Sequence, residues 1–219
     1  EIAQCLVGSE MCIRDRQMML TSYEDPALRS VQIEDFSDIQ YRGFIEGFYG
    51  GWDYKSRESL MRFARDVKMN HYIYASKTDP YHTSKWGELY PQSEIDQIQK
   101  LVKVGEETKC YYTWSVHISG FFTNLDTSNE TAYNERYQKL LAKFRQLYDA
   151  GVRKFDILND DFGQGTHEDV VNLLNKLTKE FIIPNNCKPI TYCMQGYNKA
   201  WSKAVSYTHL RAHETLSDL

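Results

Sequence analysis

Asp160 and Asp161 stand side by side after the apolar run that begins at Phe155, just ahead of Gly163 and Gly165. Like charges a few ångströms apart cannot both ionise freely, so one carboxylate raises the pKa of the other. Such a pair can split acid–base chemistry between its members, one group staying charged while its neighbour holds a proton to donate. Successive side chains of a strand point to opposite faces, so adjacent acids share a pocket only where a strand ends and the backbone turns. The order here reads as strand, acidic strand end, tight loop and a helix beginning at His167. A solvated loop pair, or a helix N-cap with its neighbour, is the plainer reading of the same residues. Three further groups follow apolar runs. Gly47 to Trp52 sets aromatics among glycines, where backbone could approach a ligand or simply turn. Lys77 comes just past a buried strand, as a solvated loop charge or a ligand donor. His117 closes another strand, as an acid or base or as a hydrogen-bonded structural residue.

The elements that must position these groups show in the hydrophobic periods. Tyr41 to Phe48, His71 to Ala75, Cys110 to Val116, the run before Asp160, and Pro189 to Cys193 read as five strands. Four helical patterns lie between them. After Ser56, the residues Leu60, Phe63, Ala64 and Val67 share one face. After a capping Ser93 come Ile95, Ile98, Leu101, Val102 and Val104. Tyr133, Tyr137, Leu140, Leu141, Phe144 and Leu147 fall within a helix from about Glu130 to Ala150, ended by Gly151. The last pattern runs from His167 to about Phe181, and Pro184 stops it.

Strands alternating with helices predict an α/β fold with a parallel sheet. No Gly-x-Gly-x-x-Gly or Walker loop is present. Polar residues and glycines instead recur at every strand end, which favours a (β/α)8 TIM barrel with ligands at the C-terminal ends of its strands. Five strands cannot close an eight-stranded barrel. The expectation is an incomplete barrel, about the first five strands, with open edges.

The totals narrow the classes. The chain has 219 residues, 42% hydrophobic and 26% charged, with a net charge of -4. Mild acidity argues against a nucleic-acid or anionic-membrane partner. No run is long and apolar enough to span a membrane. The five cysteines lack paired short spacings, so neither a zinc site nor a disulfide framework is expected, and no motif asks for a cofactor. The sixteen tyrosines suit carbohydrate binding but also simply fill barrels.

The two ends read differently. Residues 1–16 and 205–219 resemble translated sequencing-adapter sequence, and are expected to be artefactual extensions. Residues 17–40 read as the end of an upstream domain and a linker, with Ser30 to Phe36 alternating like a strand. Residues 41–204 form the expected partial barrel, a catalytic domain.

Specific motifs carry a resemblance. Arg42-Gly43-Phe44-Ile45-Glu46-Gly47-Phe48-Tyr49-Gly50 resembles the first barrel strand of family 84 glycoside hydrolases, the β-N-acetylglucosaminidases that include the O-GlcNAcases. Tyr74 to His82 is similar to the family's second strand end. Asn159-Asp160-Asp161-Phe162 resembles its catalytic acid pair, and Tyr192 to Trp201 its fifth strand end. The resemblance spans about Tyr41 to Lys203. It implies retaining hydrolysis of terminal β-linked N-acetylglucosamine, with a glycan or glycoprotein as partner. The substrate's own acetamido oxygen would attack the anomeric carbon and form an oxazoline, outside the usual two-carboxylate scheme. Asp160 would accept the acetamido N–H, and Asp161 would be general acid and then base. Gly47 would offer a backbone carbonyl to sugar hydroxyls and Lys77 would hydrogen-bond the sugar. Tyr197 would flank the acetamido pocket, with Tyr49 in its wall. Ser76, Thr78 and Met194-Gln195-Gly196 depart from the family's pattern, which bears on fine specificity. By analogy with bacterial relatives the protein would be secreted or held at the cell surface. The fragment itself is expected to be inactive.

Two other readings compete. A metal-dependent deacetylase or hydrolase would use Asp160, Asp161 and His117 or His167, but no His-x-x-x-His or similar spacing supports it. A non-catalytic sugar-binding barrel would keep Gly47 and Lys77 while tolerating loss of the acid pair, which is intact.

Overall fold

A computed structural model describes residues 37–160 and 165–194. Asp161, Tyr197, the strand expected over Ser30 to Phe36 and both expected extensions lie outside those residues. The elements follow in the order β1 (Gly43–Glu46), α1 (Tyr54–Asp66), β2 (His71–Tyr74), α2 (Gln92–Thr108), β3 (Tyr111–His117), α3 (Ser119–Phe122), α4 (Glu130–Asp149), β4 (Phe155–Leu158), α5 (His167–Leu177) and β5 (Thr191–Cys193). The strands lie in the order β1-β2-β3-β4-β5, each parallel to the next. This is half of a (β/α) TIM barrel, as the alternation of periods predicts.

Side chains alternate between the two faces of the sheet. Tyr72, Tyr112, Trp114 and Phe155 pack toward the helices and are buried. Phe155 stacks on Phe144 of α4, ring centroids 4.6 Å apart, and Trp114 meets the same Phe144 edge-on at 5.8 Å. Much of the aromatic content is therefore core. The other face is concave and carries Ile45, Ile73, Asp156 and Leu158. Ile45 is 49% exposed there. In a closed barrel such a residue meets side chains from strands across the interior.

Two glycines fit their places for steric reasons. Gly43 pairs with His71, and a Cβ on it would run into the His71 carbonyl oxygen. Gly151, at φ +101°, takes the left-handed turn that ends α4.

Several boundaries and faces differ from expectation. Helix α1 begins before Ser56, and Asp53 caps it: its carboxylate accepts the Ser56 N–H at 2.7 Å. No side chain caps α2, which begins after Pro91 with Ser93 already inside it. The buried face of α1 is Arg57, Met61 and Ala64, while Phe63 and Val67 are 58% and 46% exposed. The apolar period misses this because a charged residue, Arg57, holds the inward position. Helix α5 ends at Leu177, and a π turn over Thr178–Ile182 carries Phe181 and Ile182 into the core. The short helix α3 has no periodic signal.

Candidate active site

The C-terminal ends of the strands form one rim, held by buried side chains and by backbone bonds between neighbouring ends. At β1 the Glu46 carboxylate is fully buried. Arg57 donates to it twice, at 2.9 and 2.8 Å, and the Tyr72 hydroxyl donates at 2.5 Å. The Trp52 N–H donates to the same carboxylate at 3.0 Å, which closes the loop that starts at Gly47. Burial pulls against the Arg57 charge, but the Glu46 hydrogen bond and nearby tyrosines outweigh it, so its pKa is raised. An unpaired charge in that position would be costly. The sequence signal for this clamp is only an acid at a strand end and an arginine near the start of the next helix.

The β2 end is tied to the β1 loop by backbone. Ala75 N–H donates to the Glu46 carbonyl at 3.2 Å, and Lys77 N–H to the Phe48 carbonyl at 3.3 Å. Beyond Lys77, Asp79 accepts from the hydroxyls of Tyr74 at 3.0 Å and Tyr90 at 2.6 Å, and from the Tyr81 N–H at 2.8 Å. Lys143 of α4, fully buried, donates to the carbonyls of Tyr81 and Lys85, each at 2.9 Å. Burial pushes the Lys143 pKa down to about 7. Sequence reading misses Lys143 because a lysine on an apolar helix face looks like a break in the pattern.

At the β4 end, Asn159 N–H donates to the Cys193 carbonyl at 3.0 Å, and Ile118 N–H to the Leu158 carbonyl at 3.0 Å. Asp160 follows. Its Oδ2 is 3.7 Å from Lys77 Nζ, and both side chains are 22% exposed. Among the described residues, its Oδ1 is buried without a hydrogen-bond partner. His117 Nε2 lies 3.0 Å from the Asp160 main-chain carbonyl and 3.7 Å from Oδ1.

A cavity of about 490 Å³ opens between these ends, and Gly47, Lys77 and Asp160 all line it. Three of the residues singled out in the sequence are thus brought together. Tyr49 is not: it is 84% exposed and does not line the cavity. The reason is local. Trp52 is drawn back to Glu46, and Gly50 between Tyr49 and Trp52 takes a left-handed φ of +88°. Asp161 and Tyr197 fall outside the described residues.

Deeper in the concave face, Lys154 donates to Asp156 at 3.2 Å and to the Thr191 hydroxyl at 2.5 Å. His71 Nε2 is 4.0 Å from Asp156 Oδ2. Burial, helped by the Lys154 charge, pushes the His71 pKa down to about 4, so near neutral pH this contact is not an ion pair. Among the described residues no three His, Cys, Asp or Glu side chains are grouped to hold a metal.

Comparisons with known proteins bear on the family and the fold. The family model for β-N-acetylglucosaminidase matches residues 42–216. The protein O-GlcNAcases of Rattus norvegicus and Mus musculus are each 29% identical over 120 residues, 54% of this chain and 12% of theirs. The solved structure of CpGH84B superposes with a TM-score of 0.77 at 31% identity, covering 87% of this chain and 33% of that one. That of CpGH84D gives 0.68 at 40% identity, covering 73% and 27%. An O-GlcNAc hydrolase variant from Thermobaculum terrenum, TM-score 0.64 at 23% identity and covering 80% and 38%, shares the fold. The chain therefore spans about an eighth of the mammalian relatives' length and about a third or less of the two more similar solved structures.

Proposed function

Because the chain belongs to the β-N-acetylglucosaminidase family, the family 84 glycoside hydrolases, we propose that it forms the acid-bearing part of a retaining enzyme. That enzyme removes terminal β-linked N-acetylglucosamine from a glycan or glycoprotein. The observation that carries this reading is the meeting of Lys77 and Asp160 at 3.7 Å on the rim of a cavity that Gly47 also lines.

The reaction divides among few groups. The acetamido oxygen attacks the anomeric carbon as the glycosidic bond breaks. Asp161 gives its proton to the departing oxygen. Asp160 accepts the acetamido N–H and balances the positive charge that builds on the oxazoline ring. Water then attacks the anomeric carbon as its bond to the oxazoline oxygen breaks and the acetamide is restored, and Asp161 takes the water's proton. Lys77 donates to a sugar oxygen and sets its charge against that of Asp160. The Gly47 carbonyl accepts from a sugar hydroxyl, and Tyr197 flanks the acetamido group. The carboxylates do not attack carbon, so they need not sit on opposite faces of the sugar as in the two-carboxylate scheme.

The isolated chain is inactive on this reading, because five strands leave the sugar's other side uncovered. The test is turnover of an aryl N-acetyl-β-glucosaminide by the complete protein that carries this segment. Retained rates in both Asp160→Asn and Asp161→Asn variants would overturn the assignment.

A further inference from the structure

His117 takes no part in the steps above, yet it touches one of the acids. Its Nδ1 is 2.9 Å from Ser119 Oγ, and its Nε2 is 3.0 Å from the Asp160 main-chain carbonyl. A carbonyl oxygen can only accept, so Nε2 carries the hydrogen of that bond. In the neutral ring Nδ1 then accepts from the Ser119 hydroxyl, which fixes the tautomer. The side chain is only 12% exposed. The backbone around it is also pinned: His117 N–H donates to the His82 carbonyl at 3.0 Å, and Ile118 N–H to the Leu158 carbonyl at 3.0 Å. One residue thus joins the rims of β2, β3 and β4.

The position of Asp160 explains why such a joint is needed. Strand β4 ends at Leu158, and the Asn159 N–H makes a backbone tie to β5 just before Asp160. Past the strand end, sheet pairing no longer sets the direction in which the chain leaves. A carboxylate that must hold one acetamido N–H in place has to be fixed to a fraction of an ångström. We infer that His117 is the positioning residue for Asp160: its Nε2–H grips the Asp160 carbonyl and so aims the carboxylate at the cavity beside Lys77. The inference rests on the proposed role of Asp160. It gives His117 the work of a hydrogen-bond donor to the main chain, distinct from that of an acid or base.

The complete protein carrying this segment tests it, with aryl N-acetyl-β-glucosaminides of good and poor leaving groups. His117→Ala should lower kcat about ten- to hundredfold by the same factor for both, because acetamido attack is common to either departure. KM should change less, and the pH profile should keep both limbs. His117→Gln, whose amide N–H can still donate to a carbonyl, should recover much of the loss. Ser119→Ala should cost a smaller factor in the same direction. Loss of one pH limb, or a penalty confined to poor leaving groups, would make His117 an acid–base residue and overturn the inference. Unchanged kcat per folded molecule in His117→Ala, measured beside an inactive Asp160→Asn, would sink this inference alone. An active Asp160→Asn would instead remove the reading on which it stands.

Discussion

Lys77 Nζ and Asp160 Oδ2 lie 3.7 Å apart, joining side chains from the ends of β2 and β4 across the intervening β3. They are far apart in the chain, and only the assembly of the sheet brings them together. The contact sits at the mouth of the concave face, partly desolvated, where a charge pair is worth more than on open surface.

Lys77→Met should therefore lower kcat/KM by about ten- to hundredfold, matching loss of roughly 1.5–3 kcal/mol from one charged hydrogen bond. The paired Lys77→Met, Asp160→Asn variant should lose less than the product of the single effects. A cycle that closes with no coupling would show that the two groups act apart.

The two acids should fail differently. Asp161→Asn should remove about a hundredfold to ten-thousandfold from substrates with poor leaving groups and spare activated ones better, as loss of a general acid does. Asp160→Asn should slow both kinds alike. Steady-state rates across a series of aryl leaving groups read the distinction directly; parallel slopes in the two variants would contradict it.

The Glu46–Arg57 clamp is buried on both sides, with side-chain exposures of 0% and 7%. Arg57→Leu strands the carboxylate and should cost about 3–5 kcal/mol in urea unfolding of the complete protein. Adding Glu46→Gln should return part of that. If Arg57→Leu alone is neutral, the carboxylate has another counter-charge.

Burial pushes the His82 pKa down to about 4 from an ordinary 6.5, and its ring is inaccessible to solvent. Between those values the unfolded chain binds the proton and the folded chain does not. The contribution of His82 to stability is complete above about pH 6.5 and falls as pH drops toward 4. His82→Gln should flatten the acid side of a melting-temperature profile. An acid limb unchanged in the variant would assign the loss to other groups.

Lys143 has the same sign in a more alkaline window. Its folded pKa of about 7 lies below the ordinary 10.5, so the unfolded chain binds more protons between the two. Stability due to this residue rises with pH across that window. Wild type should gain on Lys143→Met from about pH 7 to 10 in denaturant midpoints, and the gain should appear in the loop that carries Lys77. A constant difference over that range would mean Lys143 stays charged throughout.

Much of this is legible in the sequence. The five strands lie where the apolar runs put them, because a parallel barrel strand buried on its helix side must be apolar whatever its neighbours are. Gly47, Lys77 and Asp160 stand out because each follows such a run, and strand ends are where a barrel places its ligands. The helix faces are less legible. Phe63 fits the period of α1 yet is exposed, while Arg57 breaks it and is buried, since burial of a charge depends on a partner from another element. Lys143 escapes for the same reason: three rings and two carbonyls from outside its own helix surround it.

Period, glycine placement and residue type are local properties, so the chain's own pattern sets the order of the five strands and the four longer helices, the family and the small set of residues able to do chemistry. Which of those residues meet is fixed by the assembled sheet. It put Lys77 on Asp160, set His117 under the Asp160 carbonyl, and left Tyr49 at the surface. Those outcomes depend on the register between strands and on buried polar partners far apart in the chain, and no local pattern encodes either.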